Sequence, residues 1–562
     1  MRYPADNPAV QVRNLSFTYQ EGKKPALSAL NFQLSPGSFT LLLGGSGSGK
    51  TTLLWSLARV IPTFSPGEFA GRIHILGEDT SPLSPQELSP SFGLILQDFA
   101  SQLFSSEVAA EVAFLPENLG LPPEELSRRV SESLAMVGLT QFVGRDPSTL
   151  SGGERQRLAI ASVLSGGAPI LAFDEVKSDL DPAGRRQIAE LASKLCQSGQ
   201  TIISAEEEVD DGMRADGVYL LSEGRIIASG KPGEIFSQPK ELLRCGIRPL
   251  EVTLLAEEAD TPPMTVEETL IYLQERKIKP NPKTPPAPAS SCGEEIVRLE
   301  GISFTYPHSD CGIKNMDLSI RRGEFVALLG ANGSGKTTLA KQLNGLLHPQ
   351  QGPVYIAGKA ITEYSVAELA GEVGYLFQDP DHQIFHERAA DEVAFGLHNL
   401  RLPAEEIAGR TRQALELLEL TGKEEEDPYS LRKGERQRLA LASVLAMRPG
   451  ILILDEPTTG LDYTETCRLM EAVADMNRRG VTVIAITHAM WVAARYAKRA
   501  LVMNNGRKVF DGSVESLFSD EEFLTEQMLA RPQIVELSLK LGHYCASVEK
   551  FRETFVWRRS QK

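Results

Sequence analysis

The sequence predicts two α/β domains in tandem. Three observations predict this: a glycine-rich loop follows an apolar run twice, a carboxylate pair ends another apolar run twice, and these landmarks recur at an almost fixed spacing. In both halves, aliphatic and β-branched runs alternate with segments of helical periodicity, which is the pattern of an α/β fold. At 562 residues the chain is also too long for a single hydrophobic core.

The glycine-rich loops, residues 44–52 and 330–338, both match G-x-x-x-x-G-K-[ST] and follow the apolar runs 39–43 and 325–329. Glycine lets the backbone turn so that consecutive N–H groups, and the start of the next helix, point at phosphates. The loops therefore predict two P-loop NTPase domains that each bind a nucleoside triphosphate. The predicted ATP-binding residues of these loops are Gly44, Gly45, Ser46, Gly47, Ser48, Gly49, Lys50, Thr51, Thr52, Gly330, Ala331, Asn332, Gly333, Ser334, Gly335, Lys336, Thr337 and Thr338.

Within each loop, one lysine and one threonine have distinct predicted roles. Lys50 and Lys336 are expected to reach the β- and γ-phosphates, because a P-loop lysine carries the charge that balances them. Thr51 and Thr337 are expected to hold Mg²⁺ through their hydroxyl groups.

Two apolar runs end in a carboxylate pair, Asp174-Glu175 in the first half and Asp455-Glu456 in the second. The aspartate suits Mg²⁺, and the adjacent glutamate suits the polarisation of an attacking water. An isolated Asp-Glu pair is more often a plain solvated strand end. The pairs follow the P-loop lysines by 124 and 119 residues, and this recurrence favours the functional interpretation.

The landmarks define the predicted domain boundaries, since Gln97 and Gln378 are 281 residues apart and the two carboxylate pairs share that offset. Repeats of this length indicate duplicated domains rather than a solenoid. We expect a first domain at residues 9–279, a proline-rich linker at 280–294 and a second domain at 295–562. The linker composition predicts an extended spacer, and a peptide-recognition site is the alternative.

A capping box, Thr265-x-x-Glu268, predicts a short amphipathic helix over residues 266–278, near the end of the first domain.

The composition limits the kinds of molecule that the chain is expected to bind directly. A net charge of −16 argues against broad nucleic-acid binding, and no apolar run approaches the roughly 20 residues that cross a bilayer. Membrane contact is therefore expected through partner proteins only. The six cysteines are scattered without a C-x-x-C pair, which suits a reducing compartment and predicts no zinc site.

The segment Leu150-Ser-Gly-Gly-Glu-Arg-Gln-Arg157 resembles the signature motif of ABC ATPases. The resemblance implies a helical subdomain and a C-terminal tail in each domain, and it assigns further site residues. Adenine would stack on Tyr19 and Tyr306, and the signature residues would be Ser151, Gly152 and Gly153 in the first domain and Arg432 and Gly434 in the second. The implied Mg²⁺ ligands are Thr51, Gln97, Asp174, Thr337, Gln378 and Asp455, and the implied catalytic residues are Glu456, His488, Gln378 and Glu175.

A narrower resemblance follows each Q-loop glutamine, where Q-D-x-x-x-Q-Φ-F leads into E-V-A-F at residues 97–114 and 378–395. This pattern is similar to the ATPases of energy-coupling-factor (ECF) importers for vitamins, vitamin precursors, or cobalt and nickel ions; the fused pair resembles the thiamine-precursor type more weakly. It implies a transmembrane coupling subunit, a small substrate-capturing membrane protein, and a peripheral location on the cytoplasmic face of the membrane.

Several alternatives to the ECF assignment stay open. The pattern residues Gln102 and Phe104 could simply pack their loop. The chain could also serve another importer class, such as one for sugars, or act as a soluble tandem ABC ATPase on ribosomes or DNA. The sequence does not identify the transported substrate.

The two ATP sites are expected to differ. In the second signature, Arg432 and Lys433 replace the serine and a glycine, and the first domain has Glu206 or Glu207 in place of His488. A carboxylate there repels the γ-phosphate. ABC ATPase domains pair head to tail, so the resemblance assigns both defects to one composite site.

We therefore expect the complete site, around Lys336, to hydrolyse ATP, and the site around Lys50 mainly to bind ATP and hold the dimer. The alternative is that Arg432 and Lys433 compensate for the missing groups and both sites turn over.

Overall fold

Contacts divide the chain into two units between residues 253 and 254. The computed structural model describes residues 7–556, except 21, 23, 100, 178–179, 210–211, 257–258, 260–261, 277, 281–292 and 308–311. Most of the expected linker at 280–294 lies outside the described residues. By the sequence repeat, residues 254–279 belong with the first domain, whereas their contacts group them with the second unit.

In the described part of the first unit, ten strands form two sheets. They are β1 (Val10–Tyr19), β2 (Leu27–Leu34), β3 (Phe39–Leu43), β4 (Gly67–Ile75), β5 (Glu78–Asp79), β6 (Phe92–Ile95), β7 (Ile170–Asp174), β8 (Thr201–Glu206), β9 (Gly217–Ser222) and β10 (Arg225–Gly230). The larger sheet has the order β10-β9-β3-β8-β7-β6 and is parallel apart from β10. The smaller, antiparallel sheet has the order β2-β1-β4-β5 and shares a hydrophobic core with the larger one.

The helices of the first unit are α1 (Lys50–Leu57), α2 (Val60–Thr63), α3 (Pro85–Leu88), α4 (Val108–Asn118), α5 (Pro123–Met136), α6 (Gly152–Leu164), α7 (Pro182–Gln197), α8 (Pro232–Phe236), α9 (Pro239–Arg244) and α10 (Glu251–Leu255), the last of which spans the division. Helices α4, α5 and α6 pack on one another and form the helical subdomain.

The second unit repeats this plan. Its strands are β11 (Lys279–Pro280), β12 (Glu295–Thr305), β13 (Gly312–Arg321), β14 (Phe325–Leu329), β15 (Val354–Ile356), β16 (Lys359–Ala360), β17 (Val373–Leu376), β18 (Ile451–Asp455), β19 (Thr482–Ile486), β20 (Arg499–Asn504), β21 (Arg507–Ser513) and β22 (Phe555–Val556). The larger sheet has the equivalent order β21-β20-β14-β19-β18-β17, and the smaller one the order β13-β12-β15-β16.

Its helices are α11 (Val266–Glu275), α12 (Lys336–Leu343), α13 (Val366–Glu372), α14 (Ala389–Asn399), α15 (Ala404–Leu417), α16 (Lys433–Ala446), α17 (Tyr463–Arg478), α18 (Met490–Tyr496), α19 (Val514–Ser519), α20 (Glu521–Glu526), α21 (Gln533–Lys540) and α22 (Val548–Thr554). Helices α14, α15 and α16 form the second helical subdomain.

The sheet order places the candidate site. Strands β3 and β14 are buried at every residue, as expected for central parallel strands covered on both faces. Each lies beside the strand that ends just before the predicted switch position, and the strand with the carboxylate pair comes next. The carboxyl ends of these parallel strands therefore meet at one edge of each large sheet.

The capping box at Thr265 begins helix α11, as predicted. The Glu268 backbone N–H donates to Thr265 Oγ1 at 3.1 Å, and the Thr265 N–H donates to Glu268 Oε2 at 3.3 Å. The helix ends at Glu275 rather than at 278. Helix α11 packs on α21, and β11 pairs with β22, so this tail segment is held by the C-terminal tail.

Among the described residues, no helix combines the length and the apolar character needed to cross a bilayer.

Candidate functional site

The P-loop of the first unit wraps around its lysine. Gly49 has a φ of +103°, which an L side chain rarely adopts, and helix α1 begins directly after it without a side-chain cap. The Lys50 Nζ donates to the carbonyl oxygens of Gly44, at 2.9 Å, and Gly45, at 3.0 Å. The start of α1 therefore keeps its N–H groups available for an anion.

The second P-loop has the same geometry. Gly335 has a φ of +104° and precedes α12, which also lacks a side-chain cap. The Lys336 Nζ donates to the carbonyl oxygens of Gly330, at 2.9 Å, and Ala331, at 3.0 Å.

Two of the three predicted Mg²⁺ ligands, the threonine and the aspartate, lie in contact in each unit. Thr51 Oγ1 donates to Asp174 Oδ1 at 3.0 Å, and Thr337 Oγ1 donates to Asp455 Oδ1 at 3.2 Å. A hydroxyl and a carboxylate on adjacent elements form the hard oxygen set that Mg²⁺ prefers.

Each P-loop also contains a buried hydroxyl without a partner in the described structure, Ser48 Oγ in the first unit and Ser334 Oγ in the second. A buried hydroxyl of this kind usually has a hydrogen-bond partner. A phosphate oxygen in the loop would supply one, so the residues present fit a bound Mg²⁺–nucleotide.

The two aspartates have different surroundings. Burial, reinforced by the neighbouring Glu175 charge, raises the pKa of Asp174 to about 7. Asp455 receives an additional hydrogen bond at Oδ2 from the Tyr375 hydroxyl, at 2.7 Å, and the equivalent first-unit residue is Leu94. Burial and the Asp455 charge raise the pKa of Tyr375 well above its usual range. Sequence reasoning missed Tyr375, whose only signal was a tyrosine within an apolar strand.

The candidate catalytic glutamates share a strained backbone. Glu175 and Glu456 both have a left-handed φ, +49° and +48°, which is uncommon for a non-glycine residue and recurs at functional sites. In the second unit, the His488 N–H donates to Glu456 Oε2 at 3.1 Å, and His488 Nε2 lies 3.1 Å from Glu456 Oε1. The predicted base and switch residue are thus in direct contact.

The sheet register resolves which first-unit glutamate corresponds to His488. Ala205 and Ile486 occupy equivalent places beside the two P-loop strands. The histidine lies two residues after Ile486, so its counterpart is Glu207, and Glu206 precedes it.

Glu207 contacts the P-loop lysine. The Lys50 Nζ lies 3.2 Å from Glu207 Oε1 and 3.0 Å from Glu175 Oε1, while the Gln97 Nε2 donates to Glu175 Oε2 at 2.8 Å. Burial disfavours the Lys50 ammonium, but the charges of Glu207 and Glu175 outweigh it and raise the pKa of Lys50. The predicted catalytic Glu175 is therefore held by a lysine and an amide.

A second ion pair lies beside the first-unit switch position, where Glu207 stands in place of a histidine. The Lys177 Nζ lies 3.2 Å from Glu206 Oε1, and the Ser204 hydroxyl donates to the same oxygen at 2.7 Å. Lys177 takes the place of Thr458 in the second unit. Sequence reasoning did not predict this ion pair. The signal for it was that Lys177 replaces a threonine in the same unit in which Glu206 and Glu207 stand where the other unit has its switch histidine.

The predicted signature serine caps a helix. Ser151 is the N-cap of α6, and its N–H and hydroxyl both donate to Glu154 Oε2 at 2.8 Å. In the second unit, the Arg432 N–H still donates to Glu435 Oε2, at 3.0 Å, but α16 has no side-chain hydrogen bond at its N-cap. Lys423 neutralises Glu435, at 2.8 Å. The second signature keeps its helix and loses the serine donor.

The glycine of the second signature has a packing role. A Cβ at Gly434 would collide with the Glu465 carboxylate on α17, so glycine permits this close approach. At Gly153, the nearest atom to an added Cβ would be Leu180 Cδ2 at an ordinary 3.7 Å, and at Gly152 nothing would lie within 4 Å.

The two predicted adenine-binding tyrosines lie beside the P-loop helices. The Tyr19 hydroxyl is 3.1 Å from Thr52 Oγ1, and the Tyr306 hydroxyl is 3.3 Å from Thr338 Oγ1. Both tyrosines also make edge-to-face contacts with a strand phenylalanine.

Comparison with known proteins agrees with this geometry. Residues 27–178 and 313–459 match the family model described as ABC transporter, once in each unit. The chain belongs to the ABC transporter family. Its two units are ABC ATPase domains, and the chain binds ATP with Mg²⁺ and hydrolyses ATP.

Two relatives of this ABC ATPase match it along nearly their whole length. A protein of Caldanaerobacter subterraneus subsp. tengcongensis, named "Putative ABC transporter ATP-binding protein", is 40% identical, over 96% of this chain and 97% of its own. A Methanosarcina acetivorans protein of the same description is 39% identical, over 95% of this chain and 91% of its own. The solved structure of cbiO1 from Clostridium perfringens, described as part of the ABC transporter complex cbiONQ, covers 43% of this chain and 97% of its own, with 34% identity and a TM-score of 0.38.

Proposed function

We propose that this chain is the ATP-driven motor of an ECF-type importer for a vitamin, a vitamin precursor or a transition-metal ion. It would lie on the cytoplasmic face of the membrane and reach the membrane only through a transmembrane coupling subunit and a substrate-capturing protein. One observation carries the proposal: an exposed aromatic pair follows the Q-loop in both units.

The two pairs have matching geometry. In the first unit, the rings of Phe104 and Phe114 meet edge to face, with centroids 4.5 Å apart. In the second, Phe385 and Phe395 do the same at 4.7 Å, and His386 joins them. Phe104 is 63% exposed and Phe385 58%. An aromatic pair kept in water in both units favours a protein contact rather than a packing role.

Buried carboxylates hold these loops in place. Glu111 Oε2 accepts from the backbone N–H groups of Phe104, at 3.0 Å, and Ser105, at 2.7 Å. Glu392 accepts equivalently from the backbone of Phe385 and His386. The glutamate of each E-V-A-F segment thus orders the loop that presents the phenylalanines.

The second glutamine of each pattern closes the Q-loop. Gln102 Oε1 accepts from the Leu96 N–H at 3.2 Å, and Gln383 Oε1 accepts from the Phe377 N–H at 3.3 Å. The Gln383 Nε2 also donates to the Ala440 carbonyl oxygen on α16, at 2.9 Å. The alternative interpretation, in which the pattern only packs its loop, therefore fits the glutamines but not the exposed phenylalanines.

The aromatic pair lies close in sequence to the catalytic groups. Gln97 donates to Glu175, and Phe104 follows it by seven residues. A change at the phosphates can therefore move the Q-loop and, through it, the partner surface.

Co-purification from gently solubilised native membranes tests this proposal. We expect the wild-type chain to recover a coupling-type membrane protein with a small hydrophobic partner, and a Phe385→Ala/Phe395→Ala variant to lose both. Phe64→Ala is the matched control, because Phe64 is 64% exposed outside the pairs. Recovery of a sugar-type permease, of ribosomes or of DNA would instead favour one of the alternative functions, and undiminished recovery by the double variant would contradict the docking surface.

We further propose that the two sites turn over unequally. His488 contacts Glu456 in the second unit, whereas Lys50 engages Glu175 in the first. By the head-to-tail pairing of the family, the complete set of the second unit would work with Ser151, and the Lys50 site would contribute little turnover. Glu456→Gln should abolish steady-state ATPase activity and Glu175→Gln should leave most of it; equal losses would exclude the asymmetry.

A further inference from the structure

The first nucleotide site carries a carboxylate where the second carries an imidazole. We propose that Glu207 makes this first site selective for a nucleoside diphosphate over a triphosphate. This inference rests on the unequal-site proposal above, and it replaces the expectation that the Lys50 site mainly holds ATP.

The first step concerns the partners of Lys50. Its ammonium group lies 3.0 Å from Glu175 Oε1 and 3.2 Å from Glu207 Oε1, and the residue is 3% exposed. A P-loop lysine ordinarily neutralises the β- and γ-phosphates. In this unit, two carboxylate oxygens already pair with the ammonium group that the phosphates would need.

A diphosphate disturbs the pairing of Lys50 with its two carboxylates less than a triphosphate does. Its phosphates would be cradled by the backbone N–H groups of the loop and the start of α1, and it needs Lys50 only at the β-phosphate. A triphosphate must in addition displace Glu207 from Lys50, and it then faces a carboxylate in place of a hydrogen-bond donor. Displacement of the Lys50 ion pairs weakens the binding of both nucleotides, and the repulsion by Glu207 adds a cost that only the γ-phosphate bears.

The charge of the first site also disfavours a triphosphate. The first unit places the carboxylates of Asp174, Glu175 and Glu207 around one lysine. The second unit has one carboxylate fewer, since His488 stands in the switch position. An added negative charge close to the γ-phosphate is weakly screened in a buried site.

Neighbouring contacts hold Glu207 in this place. Glu206 ends β8, where it pairs with Lys177 and accepts a hydrogen bond from Ser204. Lys177 thus pairs with Glu206, the residue directly before Glu207. The anchored strand end directs the next side chain, Glu207, at Lys50.

Equilibrium binding to the full-length chain tests the inference. A Lys336→Ala background removes the lysine of the second site, and ADP and ATP then compete against a fluorescent nucleotide in the presence of Mg²⁺. Glu207→His should lower the ratio of the ATP to the ADP dissociation constant by at least about tenfold. Glu207→Gln should produce most of this change, because it removes the charge without altering the side-chain size.

The reciprocal substitution tests the second site. In a Lys50→Ala background, His488→Glu should raise the same ratio by about tenfold or more. A ratio that stays within twofold in the Glu207 variants would overturn the inference, and so would a Lys336→Ala chain that binds neither nucleotide. The assay contains no membrane partner and needs no turnover. Its failure would thus leave the importer proposal intact, whereas a failure of the co-purification experiment would leave this inference untouched.

Discussion

Replacing Glu392 with alanine should release the loop that presents the aromatic pair of the second unit. Glu392 is 3% exposed, and its Oε2 accepts from the backbone N–H groups of Phe385, at 3.1 Å, and His386, at 3.0 Å. The alanine side chain has no hydrogen-bond acceptor, so both backbone N–H groups lose their partner.

The hydrogen bonds set the magnitude of this effect. A buried N–H group that loses its acceptor costs about 1–3 kcal/mol. Phe385 is 58% exposed, so water can approach that side of the loop and reduce the cost. We expect about 2–4 kcal/mol for the two bonds together. A local opening equilibrium shifted by this amount accelerates amide exchange by about 30- to 1,000-fold.

Hydrogen–deuterium exchange of the nucleotide-free chain measures this directly at Phe385 and His386. Glu387→Ala is the control, because it removes an exposed carboxylate from the same loop. Glu111→Ala should accelerate exchange at Phe104 and Ser105 in the first unit. Exchange rates in Glu392→Ala within twofold of wild type would refute the idea that this carboxylate orders the loop.

Two further predictions concern stability. The folded protein binds a proton at Asp174 more tightly than the unfolded chain, because folding raises the pKa of Asp174 from 3.8 to about 7. The ionised carboxylate therefore lowers the free energy of unfolding above pH 7. This loss disappears as the pH falls toward 4. Asp174→Asn should therefore stabilise the nucleotide-free protein against denaturant by at most about 4 kcal/mol near pH 8, and a gain independent of pH would contradict this origin. Gly374→Ala should destabilise it by about 1–3 kcal/mol, since a Cβ would collide with Val444 and lie 2.9 Å from Pro449 Cγ. Gly409→Ala, whose Cβ meets nothing within 4 Å on a helix, should instead be neutral or stabilising by about 0.4–1 kcal/mol, and equal effects of the two substitutions would exclude the packing argument.

Local motifs could be interpreted without tertiary information because their chemistry is carried by neighbouring residues. A loop that ends in Gly49-Lys50-Thr51 dictates its own backbone, and Thr265 with Glu268 forms a cap within a single turn. The sequence repeat likewise indicated two domains of the same fold, and the two large sheets have equivalent strand orders.

The roles of the E-V-A-F residues were harder to predict from the sequence. Their pattern resembles that of ECF importer ATPases, but it did not separate the buried Glu111 and Glu392, which order the loops, from the exposed phenylalanines. Only their burial made that distinction, since a repeated pattern is equally consistent with packing and with contact.

By itself, the sequence determined that this chain carries two P-loop ATPase domains, which residues form their loops and carboxylate pairs, and that the two sites are chemically unequal. The tertiary structure decided that Glu207, rather than Glu206, stands in the switch position and binds Lys50, that Tyr375 supports Asp455, and that helix α11 and strand β11 pack with the C-terminal tail. The physical reason is distance along the chain. Lys50 and Glu207 meet only because β8 pairs in one register with β3, and a register is a property of the folded sheet rather than of either segment.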